Sequence, residues 1–183
     1  MTAAHRKSAT RPAPKSRRQT VGISGRKLPP GSLFAIPLSG GRRAIGQLVI
    51  PGIEIFACAF LPVLEKGNEL PTGLSKSRFK PAVCFLITDI ALEDGIWPVI
   101  GAAPLRPDIP MPHFRIDTDD GVDIMDIHEE FVRHASAKDE QTIPYRTLVD
   151  YTIVTNVITA LADGRKVDED DELILASFIR SHR

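Results

Sequence analysis

Through the middle of the chain apolar residues come in short blocks separated by glycine, proline and charge, and only in the last third do they recur at helical spacing. Pro29-Pro30-Gly31 breaks the chain, and Ser32 to Leu38 then reads as a short strand whose Pro37 confines it to an edge or a bulge. Ser39-Gly40-Gly41-Arg42 offers two glycines able to take positive φ, and Arg43 to Ile50 returns as a second strand, so the pair predicts a hairpin. Gly46 inside the second strand signals a bulge, a barrel corner or a close backbone approach. After Pro51-Gly52, Ile53 to Leu61 forms a third strand, apolar enough to be covered on both faces. Residues 62 to 81 predict a long loop, Ala82 to Leu92 a fourth strand, and Ile96 to Gly101 a fifth that follows the turn Glu93-Asp94-Gly95. Five short strands with close turns and no helix between them predict a small antiparallel, strongly bent sheet or an SH3-like barrel.

Residues 102 to 112 carry four prolines and should run extended over the surface, and His113 to Asp117 alternates as one further strand. Between Asp117 and Glu140 nine carboxylates face only Arg133 and Lys138, which reads as a solvated acidic connector. Thr142-Ile143-Pro144 then suits the start of a helix. Its apolar face would hold Leu148, Tyr151, Val154, Ile158 and Leu161, and Asp163-Gly164 would end it. A second helix is expected from Asp168, with acids at its positive end and Arg180 and Arg183 at its negative end. The expected class is therefore α+β: a tail over residues 1–27, then one domain over 28–183 made of a β core (28–116), the connector (117–141) and two helices (142–183).

Composition narrows the class. The 183 residues are 43% apolar and 25% charged, room for one ordinary domain, and no apolar run reaches the ~18 residues of a membrane span. The zero net charge hides an asymmetry: residues 1–27 hold eight basic side chains and no acid, leaving 15 basic against 23 acidic residues in the remainder. The tail reads as a solvated leader without the apolar region of a secretory signal, and charge alone allows it weak contact with nucleic acid. Cys58 and Cys84 lie in apolar segments far apart, with no CxxC pair, and read as buried small hydrophobes rather than a disulfide or metal site. That reading fits a reducing, cytoplasmic compartment.

The chain has no Walker A loop, dinucleotide fingerprint, GxSxG elbow or HExxH motif. Ser39, Ser75 and Ser77 have no neighbouring base. One constellation is suited to chemistry: His113, Asp123, Asp126, His128 and His134, whose imidazoles and carboxylates are of the kind that hold a metal ion and its bound water. Its spacing matches no metal signature, and a solvated acidic connector with ordinary exposed histidines is the preferred account of it. Trp97, the one tryptophan, is expected in the core.

Gly31 to Leu38 with Phe34 and Pro37, then Gly40-Gly41-Arg42, Ala44 to Leu48 around Gly46, and far downstream Trp97-Pro98-Val99-Ile100-Gly101, together resemble the immunity protein 26 family of bacterial polymorphic toxin systems. The resemblance spans roughly Pro30 to Pro112. It implies a cytoplasmic antidote that binds a cognate toxin and needs no cofactor. The same family looks to include HocA-type phosphotriesterases, which hydrolyse organophosphate triesters. The matched residues Phe34, Pro37, Gly41, Gly46, Trp97 and Gly101 serve turns and core, so they transmit a fold rather than a reaction.

Two functions follow as expectations. A binding protein would use an acidic surface, with Asp119, Asp120, Asp123, Glu129 and Glu130 as the charged rim facing a basic protein partner. A phosphotriester hydrolase would instead use His113, His128 and Asp126, with Asp123 and His134 completing a metal set if an ion takes part.

Overall fold

The structure is a computed structural model that describes residues 27–64, 81–107, 109 and 111–167. The basic tail up to residue 26, most of the long loop and the expected helix from Asp168 lie outside the described residues.

The opening hairpin forms as expected. Strand β1 (Ser32–Pro37) pairs antiparallel with β2 (Arg43–Ile50) across a single 3₁₀ turn, Ser39–Gly41, in which Gly40 and Gly41 take φ of 71° and 74°. Strand β3 (Glu54–Leu64) pairs with β2, and β4 (Pro81–Thr88) with β3. The fourth strand ends earlier than expected, because Asp89 turns the chain into the short helix α1 (Ile90–Glu93). Strand β5 (Val99–Ala102) then crosses the sheet to lie against β1.

The order β4-β3-β2-β1-β5 leaves β4 and β5 as edges, so this sheet is open and does not close into a barrel. Strand β1 is internal, not an edge. Pro37 is tolerated because it is the exposed last residue of β1, beyond the final ladder contact on the β5 side, Ala35 N–H to Pro98 O at 2.9 Å.

Alternation along β3 sets up the two cores. Ile55, Ala57 and Ala59 face one side, packing with Phe34, Leu48, Phe85, Ile87 and Trp97 against Val154, Val157 and Ile158 of helix α3 (Tyr151–Ala162). Phe56, Cys58 and Phe60 face the other side, where they meet Leu86, Ile109, Phe114 and Ile127. The expectation that β3 is covered on both faces is met.

Gly46 is a close approach: a Cβ there would lie 2.0 Å from the Phe34 ring. The Phe34 ring stacks on Trp97, centroids 5.4 Å apart and planes 2° from parallel, and Trp97 meets Phe85 and Tyr151 edge-on. Trp97 is buried, as expected. Gly101 sits opposite Leu33 where the β1–β5 register shifts.

Three expectations are corrected. Cys58 and Cys84 are not free hydrophobes: they face each other across the β3–β4 ladder and form a disulfide, which removes the ground for expecting a reducing compartment. The acidic segment is not a solvated connector either. It folds into β7 (Gly121–Met125), β8 (Phe131–His134) and α2 (Ala137–Thr142), and with β6 (Phe114–Thr118) makes a second antiparallel sheet in the order β6-β7-β8. Finally, Thr142 ends α2 rather than starting the long helix.

Asp150 caps α3 instead, accepting from Thr152 N–H at 2.7 Å, because the segment around Pro144 pairs alongside β6 through Arg115. Leu148, expected on the helix face, is exposed ahead of it. The helix stops where expected, at Asp163-Gly164, with Gly164 N–H bonded to Leu161 O and Arg165 N–H to Ala160 O. No helix among the described residues is long and apolar enough to cross a membrane.

Candidate functional site

The three-stranded sheet carries every residue of the expected acidic rim. Asp119 and Asp120 form the two-residue β6–β7 turn, and Thr118 and Gly121 close it as a pair. Glu129 and Glu130 lie in the β7–β8 loop at the other end of β7, about 17 Å away at ~3.4 Å per residue over five residues. Asp123 lies between them on β7, but its carboxylate is taken up by His134 Nδ1 at 2.7 Å. Exposed carboxylates thus sit at both ends of one small sheet, with an internally paired one in the middle.

Strand β8 forms the outer edge of this sheet. All four of its residues are exposed, including Phe131 at 55% and Val132 at 43%, and its outer edge has no strand partner among the described residues. Sequence reasoning missed Phe131 and Val132 because the surrounding acids marked the stretch as a connector. The signal was there in Gly121-Val122-Asp123-Ile124-Met125, which alternates after an Asp-Asp-Gly turn.

The loop from Asp126 to Glu130 is held by its first residue. The Asp126 carboxylate accepts from His128 N–H at 2.8 Å and from Glu130 N–H at 2.9 Å, and Asp126 N–H returns a bond to Glu130 O. The Glu130 amide, then the His128 amide and the charges of His128 and His113, hold the Asp126 carboxyl below the ordinary carboxylate range. Glu129 takes φ of 66°, a left-handed conformation that usually calls for glycine in a hairpin loop of this kind.

Of the expected chemical constellation, Asp123 and His134 are brought together as a pair. His113 and His128 come close enough for their charge to act on Asp126, while that carboxylate is committed to the loop backbone. Among the described residues no group of three or more His, Cys, Asp or Glu side chains is placed to share a metal ion.

A cavity of about 220 Å³ opens where this loop meets the larger sheet. Its apolar wall comes from Ile50, Phe56, Leu86 and Ile127, and its polar rim from Glu54, His128, Glu129 and Arg146. Arg146 is positioned by its backbone, whose N–H bonds Arg115 O on β6 at 3.1 Å. One nitrogen, Nη2, holds both Glu54 and Glu129, the latter at 2.6 Å. The Arg146 Nε–H is buried and has no acceptor. Neither Arg146 nor Glu54 was singled out by sequence reasoning, because they lie 92 positions apart and neither sits in a motif.

No protein-family model, no curated protein and no solved structure matches the chain.

Proposed function

We propose that the chain is an immunity-type protein that docks on a cognate bacterial toxin and neutralises it through the three-stranded sheet. The observation that carries this reading is β8: an edge strand whose outer side has no strand partner among the described residues, with Phe131 and Val132 exposed, on a sheet whose two ends carry Asp119, Asp120, Glu129 and Glu130. An open edge can add a strand from a partner, an exposed aromatic can anchor in a partner's pocket, and flanking acids steer a basic partner and fix its register. The same reading takes the five-stranded sheet as a strongly bent, SH3-like scaffold, supported by register shifts in three of its four strand pairings.

The hydrolase reading has less behind it, since Asp126 Oδ1 already accepts from two loop amides and only its Oδ2 is left for His113 or His128. The test is co-expression of the full chain with the product of the adjacent reading frame in a growth assay. Rescue by the native chain, lost on reversing Asp119, Asp120, Glu129 and Glu130 to lysine, is expected. Rescue that survives all four reversals together with Phe131→Ser would refute the docking face.

A further inference from the structure

The geometry points to the cavity beside Arg146 as a socket for a basic side chain, arginine foremost, presented by a polypeptide partner. This deepens the docking reading above and rests on it for the identity of the partner as a protein. The cavity joins two features that a basic side chain needs. Ile50, Phe56, Leu86 and Ile127 give an apolar wall along which a methylene stem can lie, and about 220 Å³ accommodates one side chain rather than a cofactor-sized ligand.

Its rim is short of positive charge. Glu54 and Glu129 are both carboxylates, and both lean on the single Nη2 of Arg146, so one guanidinium offsets two negative groups, and His128 on the same rim adds positive charge only when protonated. Each bonds Arg146 through one oxygen, Glu54 through Oε2 and Glu129 through Oε1, which leaves a second oxygen on each to accept from a guest.

A second guanidinium restores the balance. Its planar fork of five donors can bridge two separated carboxylates, which the compact ammonium of lysine does less well. An anionic guest is disfavoured, because it would have to displace two carboxylates that already hold Arg146. The exposures fit a recognition role: Arg146 is 18% exposed and forms the fixed inner part, whereas Glu54 at 37% and Glu129 at 60% can be reached from outside. The socket also adjoins the acidic rim through Glu129 and Glu130, so a basic partner steered to the sheet meets it on arrival.

The experiment uses the full chain, isotope-labelled for NMR and titrated with the peptide Ac-Ala-Arg-Ala-NH2 and with its uncharged citrulline counterpart. The arginine peptide is expected to shift the amides of Glu54, Leu86 and Ile127 to Glu129 with a dissociation constant in the millimolar range, weakening as salt is raised. The citrulline peptide should leave them unmoved. Glu129→Gln, at an exposed position that should not disturb folding, should weaken the titration about threefold or more, and Glu54→Gln should do the same.

Absence of shifts, equal shifts from citrulline, or identical titrations in both variants would overturn the socket. The two readings fail separately. A toxin that binds the Glu54→Gln/Glu129→Gln double variant as well as the native chain, yet is lost on reversal of Asp119 and Asp120, removes the socket and leaves the docking face. Peptide binding at the socket with no bound toxin does the opposite.

Discussion

Strand β3 and strand β8 mark the two extremes of this molecule. The described side chains of β3 from Ile55 to Phe60 are buried on both faces, between α3 on one side and the three-stranded sheet on the other, whereas no residue of β8 is buried at all. The first region is a scaffold whose residues are dictated by packing. The second is held by its pairing with β7 and exposes all four of its residues. Substitution in the first should damage folding, and substitution in the second only recognition.

The largest effect should come from the aromatic stack. Trp97→Ala removes the ring on which Phe34 lies and should cost about 3–5 kcal/mol in urea unfolding. A cost under ~1 kcal/mol would mean that the stack is not part of the scaffold. Next comes the disulfide, which closes a segment of 26 residues and should contribute about 3 kcal/mol by restricting the unfolded chain. Thiol labelling before and after a reductant, read beside the unfolding midpoint, checks it. A native chain that labels fully without reductant contradicts the bond.

A smaller effect concerns acid. Asp150 is held below the ordinary carboxylate range first by the Thr152 hydroxyl and then by its amide. Asp163 is lowered chiefly by Arg42, and Asp139 strongly so, first by Arg133 and then by Ser136. A carboxyl with a depressed folded value stabilises above the unfolded value of ~3.9 and loses that contribution as pH falls through its folded value. Thermal stability should therefore be level from neutrality to about pH 5 and fall below ~4. Asp150→Asn, which keeps the cap acceptor but not the titration, should make that acid limb shallower while the shares of Asp139 and Asp163 remain, and Asp150→Ala should cost about 1 kcal/mol at neutral pH. A limb unchanged in Asp150→Asn would remove Asp150 from the account.

The smallest stability effect belongs to the outer sheet. Phe131→Ser should move the unfolding free energy by less than ~0.5 kcal/mol, because the ring is mostly in solvent already. A loss of several kcal/mol would make β8 part of the scaffold and erase the contrast.

What the sequence disclosed follows the same division. The hairpin with its two glycines, the doubly covered third strand and the stop at Gly164 are each set by local chemistry strong enough to be read one segment at a time, whereas at Gly46 the sequence left three alternatives open and the Phe34 ring on the neighbouring strand decides among them. The outer sheet was harder to read, because its strands are short and half-exposed, and the alternation of Gly121 to Met125 is set among the nine carboxylates between Asp117 and Glu140. Its core face depends on β2–β4, which are distant in sequence. Pro144 misled the helix start for a related reason: the segment around it is committed to β6, a tertiary pairing that overrides the local signal. The cysteines were misread because spacing cannot show that two strands place Cys58 opposite Cys84.

Within the candidate site, the acids of the rim were legible as charge but not as an arrangement. Arg146 and Glu54, which build the socket with Glu129, meet only in the folded chain.

Whether the acidic sheet serves recognition rather than folding is decided by reading binding and stability in one sample. The variant with Asp119, Asp120, Glu129 and Glu130 all reversed to lysine is compared with the native chain, by calorimetric titration against the product of the adjacent reading frame and by thermal unfolding. Binding should weaken by about 100-fold or more while the unfolding temperature stays within about 4 °C of the native value. Undiminished binding by a folded variant would contradict a role in recognition.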